Sequence, residues 1–260
     1  MTVTPSTSRR HWRSVVLSVL AAAVVFVLAW KAVVIVGGYP VFILPAPEVV
    51  AGRFVTAWAD GTMAPHAFAT LSEIVVGFVV GATLAVVVGY LLARSPLAER
   101  LLSPYLVAAQ ATPILAIAPL LVLWLGTGLL PKVVICALIV FFPVAVSTMV
   151  GIRSIDRRLL ELGRSLRATR WQVFRHLELP AAMPQILGGM RVGVTLAVIG
   201  AIVGEWAGAD RGLGVLVNLA RGSLFDFPLM FATLLTIALI AIVLYLLVVL
   251  VERALVGSWR

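Results

Sequence analysis

Six apolar runs, each twenty residues or longer, leave this chain few ways to fold. They span residues 14–36, 67–93, 101–125, 132–151, 186–206 and 229–251. A helix that crosses a bilayer needs about 20 such residues. Only helices and closed barrels satisfy their own backbone groups in lipid. Runs this long, without strict alternation, predict an all-α membrane protein with six spans. Composition agrees: 62% of residues are hydrophobic and 12% charged, against about 25% charged in a typical soluble domain.

The first run is longer than the core of a signal peptide. It continues through Trp30 and Lys31 without a small-residue cleavage site, so it reads as an uncleaved span behind a polar tail, residues 1–13. The loop 37–66 holds Pro40, Pro45 and Pro47, and residues 47–60 read as a short amphipathic surface helix. The third run carries Pro104, Pro113 and Pro119, so it should be kinked or broken. Gly77/Gly81, Gly189/Gly193 and Gly200/Gly204 are spaced for close helix contact. The loop 207–228 holds Asp210, Arg211, Arg221 and Asp226.

Six spans put both termini on one side. With that side cytoplasmic, fifteen of the twenty arginines and lysines fall inside. The positive-inside rule is met strongly, and the basic balance needs no nucleic acid to explain it. Eight of the fifteen lie in residues 153–191, the one long polar stretch, which this topology makes cytoplasmic.

That stretch reads as two short amphipathic helices. Asp156 can cap the first, whose Leu159, Leu162 and Leu166 recur at helical spacing. Thr169 and Gln172 form a capping box for the second. Leu179-Pro180 is expected to end it, because proline disfavours helix in the residue before it. Anionic lipid headgroups and a protein partner are both possible occupants of such a surface.

Machinery for chemistry is missing. The sequence has no GxxxxGK[ST] phosphate loop, no HExxH and no GxSxG. Cys136 is its one cysteine and lies within an apolar run, and no metal-ligand spacing occurs. Two acids lie in spans, Glu73 and Glu205. Each is either a functional intramembrane charge or a group near enough to the interface to stay hydrated.

At the polar stretch the chain resembles the permease subunits of bacterial ATP-binding-cassette importers. Their cytoplasmic loop begins Glu-Ala-Ala, has a glycine four residues on, and ends with an apolar residue, one free position and Leu-Pro. Here Glu161-Leu162-Gly163 and Leu177-Glu178-Leu179-Pro180 stand at that spacing, with Arg167 in place of the glycine. Either Arg167 takes a different turn or Gly163 loosens the first helix instead. ILPAPEVV, ATPILAIAPLLVLWLGTG and GADRGLG resemble the branch serving sulfonates, taurine, nitrate and vitamin precursors. GEWAGADRGLGVLVNLARGSLFD is most similar to permeases for thiamine-pyrimidine precursors or riboflavin.

The resemblance implies a type I importer permease in the bacterial cytoplasmic membrane, with a coupling loop at 153–185. Glu161, Leu162, Gly163, Leu166, Arg167, Arg170 and Trp171 would then dock on a separate ATP-hydrolysing dimer. That dimer would bind ATP and Mg; no cofactor or metal is implied for this chain. A second permease copy and an extracytoplasmic solute-binding protein complete the implied assembly. Pro113, Pro119, Glu73 and Glu205 are the pathway candidates. The rival from another class is an ion-coupled secondary transporter, which would want charged relays and repeated halves.

Overall fold

The computed structural model describes residues 7–257. Residues 1–6 of the predicted tail and residues 258–260 lie outside the described residues. Every regular element described is helical. In chain order they are α1 (Thr7–Gly37), α2 (Pro47–Ala59), α3 (Met63–Arg94), α4 (Pro96–Ala111), α5 (Ile114–Leu125) and α6 (Leu129–Arg153). Then follow α7 (Arg157–Ser165), α8 (Arg170–Val173), a π turn (Phe174–Glu178), α9 (Leu179–Gly208), α10 (Leu213–Gly222) and α11 (Phe227–Gly257).

The core is a layer of three long helices with α6 in the middle. Small residues let α3 and α9 approach it closely. A side chain at Gly81 would meet the Ala137 carbonyl oxygen at 2.6 Å, and one at Gly200 would meet Cys136 Cα at 3.0 Å. Ile74, Ala82, Ala85, Cys136, Val140, Val144, Ala197 and Ala201 fill the space between them. Cys136 is buried there, and its thiol donates to the Ala197 carbonyl.

The third apolar run is broken. α4 and α5 meet at 93° across Thr112-Pro113. Pro113 has no N–H to donate and restricts the residue before it to extended backbone, and Thr112 is extended. α4 starts at Pro96, where Ser95 caps it through Ala98 N at 3.2 Å. Among the described residues five helices are long and apolar enough to cross a membrane, and six spans result if α4 and α5 count as one.

One loop holds more structure than the sequence indicates. Within 207–228, α10 folds back and buries Leu213, Leu216, Val217 and Ala220. It packs with α2 and the start of α11 around Val50, Ala57, Met63 and Leu229. Arg53 clamps this layer, donating to Asp226 Oδ2 at 2.7 Å, while Asp226 Oδ1 accepts from Leu229 N at 2.9 Å and caps α11. In the α2–α3 turn the Thr62 hydroxyl and backbone N–H hold the Asp60 carboxyl below the usual carboxylate range.

Candidate functional site

The polar stretch folds as a hairpin, α7 to α8, projecting from the ends of α6 and α9. Its start is set by Asp156, which accepts from Arg158 N at 2.9 Å. The capping box of α8 is complete: Gln172 N donates to Thr169 Oγ1 at 3.3 Å, and Thr169 N donates to Gln172 Oε1 at 2.8 Å. Ile152, Ile155, Ala182 and Ile186 root the hairpin, with Leu160 and Tyr90 packed against them.

The turn between the helices depends on Arg167, whose φ is +53°. Arg167 itself takes the left-handed conformation in which the resembled loop has glycine. Neither expected alternative is needed. Ala168 N closes the turn on the Gly163 carbonyl at 3.0 Å. Gly163 is buried for a different reason. A side chain there would lie 3.0 Å from Leu177 Cδ1 and 3.4 Å from Val173 Cγ2, so its smallness lets the two arms close.

The hairpin leaves an apolar surface outward. Leu166 is 73% exposed, Trp171 64% and Leu162 54%; Glu161, Arg167 and Arg170 are exposed beside them. The Trp171 ring packs on Phe174 at 5.5 Å. These six residues, with buried Gly163, thus occupy one hairpin.

Leu179-Pro180 does not end the second helix. The backbone of Leu179 is helical, and its N–H reaches the Phe174 carbonyl five residues back. The π turn absorbs Pro180, so α8 runs through into α9 and the apolar helix extends from Arg170 to Gly208. The expected coupling loop, 153–185, therefore has no helix break at its C-terminal bound. Beneath the turn, Glu178 is buried at 1% exposure. It pairs with Arg94 at 2.5 Å and accepts from the Tyr90 hydroxyl at 3.0 Å.

The pathway candidates separate into two places. Glu73 and Glu205 come together at the far end of α3, both 2% exposed. Glu73 pairs with Lys132 at 2.9 Å. Glu205 accepts from Thr70 Oγ1 and from Gly214 N, both at 2.5 Å. Leu213 N donates to Thr70 Oγ1 at 2.8 Å, and Gly212 N to His66 Nδ1 at 3.1 Å. A carboxylate thus receives the N-terminal turn of α10, where it complements the helix dipole. Ser72, Glu73, Thr127, Lys132, Asp210 and Arg211 line a cavity of about 380 Å³ beside this cluster.

Pro113 and Pro119 lie elsewhere, exposed on the broken segment. A cavity of about 490 Å³ opens at the break between Gln110, Thr112, Ile114, Phe142, Pro143 and Val192. Sequence reasoning missed Lys132, Thr70, His66, Tyr90 and Arg94. A lysine at the very start of an apolar run was the available signal for the first of these.

A helical membrane unit with an exposed amphipathic hairpin and no nucleotide-binding motif has the form of a transport subunit driven from outside itself. The chain belongs to the family described as the binding-protein-dependent transport system inner membrane component, which matches residues 81–257. It is 46% identical over 251 residues to the riboflavin transport system permease protein RibX of Chloroflexus aurantiacus, covering 96% of this chain and 92% of that protein. It is 36% identical to the formylaminopyrimidine transport permease protein ThiX of Halalkalibacterium halodurans, over 77% of this chain and 80% of that one. It is 31% identical to the taurine transport system permease protein TauC of Escherichia coli, over 90% and 86%. A chain of the inward-facing MetNI methionine ABC transporter shares the fold, with a TM-score of 0.66 over 74% of this chain and 95% of that one at 19% identity. The protein is thus a multi-pass ABC importer permease subunit of the type I fold. It is not an enzyme: ATP hydrolysis lies on separate subunits, and the family implies ATP-binding and solute-binding partners.

Proposed function

We propose that this permease imports a small vitamin or vitamin precursor, of the riboflavin or thiamine-pyrimidine kind, received from an extracytoplasmic solute-binding protein. The observation that carries this reading is the 46% identity to a riboflavin permease along nearly the whole chain. Two copies of the chain form the pathway, and each presents its hairpin to one groove of an ATPase dimer that holds ATP and Mg. Both termini are cytoplasmic. Leu162, Leu166 and Trp171 supply apolar contacts, and Glu161, Arg167 and Arg170 supply polar ones. Pro113 and Pro119 break the helix where the pathway passes, while Glu73 and Glu205 hold its outer end.

A sulfonate- or taurine-type substrate is the second reading, favoured by the 31% identity to a taurine permease. Ligand binding by the partner solute-binding protein, measured calorimetrically with riboflavin, a formylaminopyrimidine and taurine, separates the two. Riboflavin or pyrimidine binding is expected; binding of taurine alone overturns the vitamin reading. The docking role has its own test. Glu161→Arg should abolish uptake while the protein remains in the membrane, and unchanged uptake with unchanged ATPase association would refute it.

A further inference from the structure

The docking hairpin meets the bundle through a compliant piece of backbone. Phe174–Glu178 is a π turn, and Pro180 follows two residues later. A π turn is a local widening of the helix, and proline removes a backbone donor. A load entering at Arg170 and Trp171 would be partly absorbed here before reaching α9.

A second, lateral attachment sits at this point. Glu178 uses both carboxylate oxygens on α3: Oε1 on Arg94 at 2.5 Å and Oε2 on the Tyr90 hydroxyl at 3.0 Å. Arg94 Nε donates to the same hydroxyl at 3.1 Å, which closes a three-membered ring of contacts. The Tyr90 ring meets Phe174 edge-on at 5.1 Å, so the first residue of the π turn is held as well. Glu178 is buried, whereas the Arg94 side chain is 44% exposed beside a polar cavity that Arg170 also lines. A sealed carboxylate cannot leave its cation without a large desolvation cost.

The element so held is stiff. α3 is unbroken from Met63 to Arg94, and its only proline, Pro65, lies in the first turn. Close contacts at Gly81 and Gly89 lock it to α6. Its other end carries Thr70 and Glu73. From Glu73 to Tyr90 the helix rises roughly 25 Å, close to the thickness of a bilayer core.

We propose that Glu178, gripped by Arg94 and Tyr90, is the positioning residue that makes the docking hairpin and α3 move as one body, so that α3 conveys motion of the ATPase to the far side of the permease. This rests on the importer reading above.

The test needs no transported solute. A thiol is placed at the far end of α3 by Phe68→Cys, a position 74% exposed. Its labelling rate is measured in the complex of permease and ATPase, with and without ATP and vanadate. ATP should change the rate by about fivefold or more when Glu178 is intact, the lower end of ordinary coupling between sites. Glu178→Gln and Arg94→Met should bring the response below about twofold, while Arg94→Lys, which keeps the charge, should restore it. A full response in Arg94→Met and Glu178→Gln overturns the proposal, as does an ATP-independent rate with Glu178 intact. Loss of ATPase co-purification in these variants alone also overturns it, because Glu178 would then shape the docking surface itself. If no ATPase co-purifies with the unaltered permease, it is the importer reading that fails.

Discussion

The two ends of α3 each carry a buried carboxylate cluster, and the two are built differently. At the hairpin end Glu178 is sealed, but its cation is half in water and every contact is between side chains. At the far end both Glu73 and Lys132 are sealed. Glu205 beside them is held partly by backbone, through Gly214 N, and Thr70 accepts from Leu213 N. The far cluster joins four helices, α3, α6, α9 and α10, with fixed geometry. The near cluster joins one helix, α3, to a π turn. The difference separates a junction held partly by backbone from one held by side chains alone, on one continuous rod.

The comparison breaks most visibly at Lys132. Lys132→Met leaves Glu73 buried without its cation, which costs about 3–5 kcal/mol. Thermal unfolding of the purified permease should fall accordingly. The double variant Glu73→Met with Lys132→Met should recover most of the loss, because two packed apolar side chains replace a desolvated pair. If the double variant is as unstable as the single one, the far cluster has a role that the fixed junction does not explain.

Gly212 sharpens the same point with a smaller effect. Its φ is +142°, and an added side chain would land on the Glu205 carboxyl group. Gly212→Ala should destabilise by about 1–3 kcal/mol from backbone strain, plus displacement of Glu205. In a Glu205→Ala background the displacement vanishes and only the strain remains. The two substitutions should therefore be non-additive. Additive unfolding free energies would mean that Gly212 does not press on Glu205.

Much of this architecture was legible in the residues. The Thr169–Gln172 box and the Asp156 cap act within four residues, and local pattern finds such contacts well. The break at Pro113 follows from a missing donor and a crowded neighbour. The far cluster was half legible. Glu73 and Glu205 stood out as acids in apolar runs, but pairing Glu73 with Lys132 needs the approach of α3 to α6, which depends on tertiary packing. Helix continuity through Leu179-Pro180 was hidden for another reason. The preference against helix before proline is a local bias, and a π turn relieves it where buried contacts such as Glu178 with Arg94 favour continuation. The role of α10 was hidden too, because its short apolar pattern lies between glycines that read as loop.

The smallest expected effect has the opposite sign. Arg167 holds φ at +53° in the turn of the hairpin, a conformation that costs a residue with a side chain roughly 1–2 kcal/mol. Glycine enters it freely but gives up about 0.5–1 kcal/mol through its more flexible unfolded chain. Arg167→Gly should therefore stabilise the hairpin by at most about 1.5 kcal/mol, seen as slower amide exchange at Leu166 and Ala168. Ala168 N bonds to Gly163 across this turn, so its amide reports the closure directly. The same substitution removes a cation from the proposed docking surface. If Arg167 serves only the turn, ATPase affinity stays level or rises as exchange slows. If affinity falls while exchange slows, the guanidinium contacts the partner, and the strain at this turn is retained for that contact.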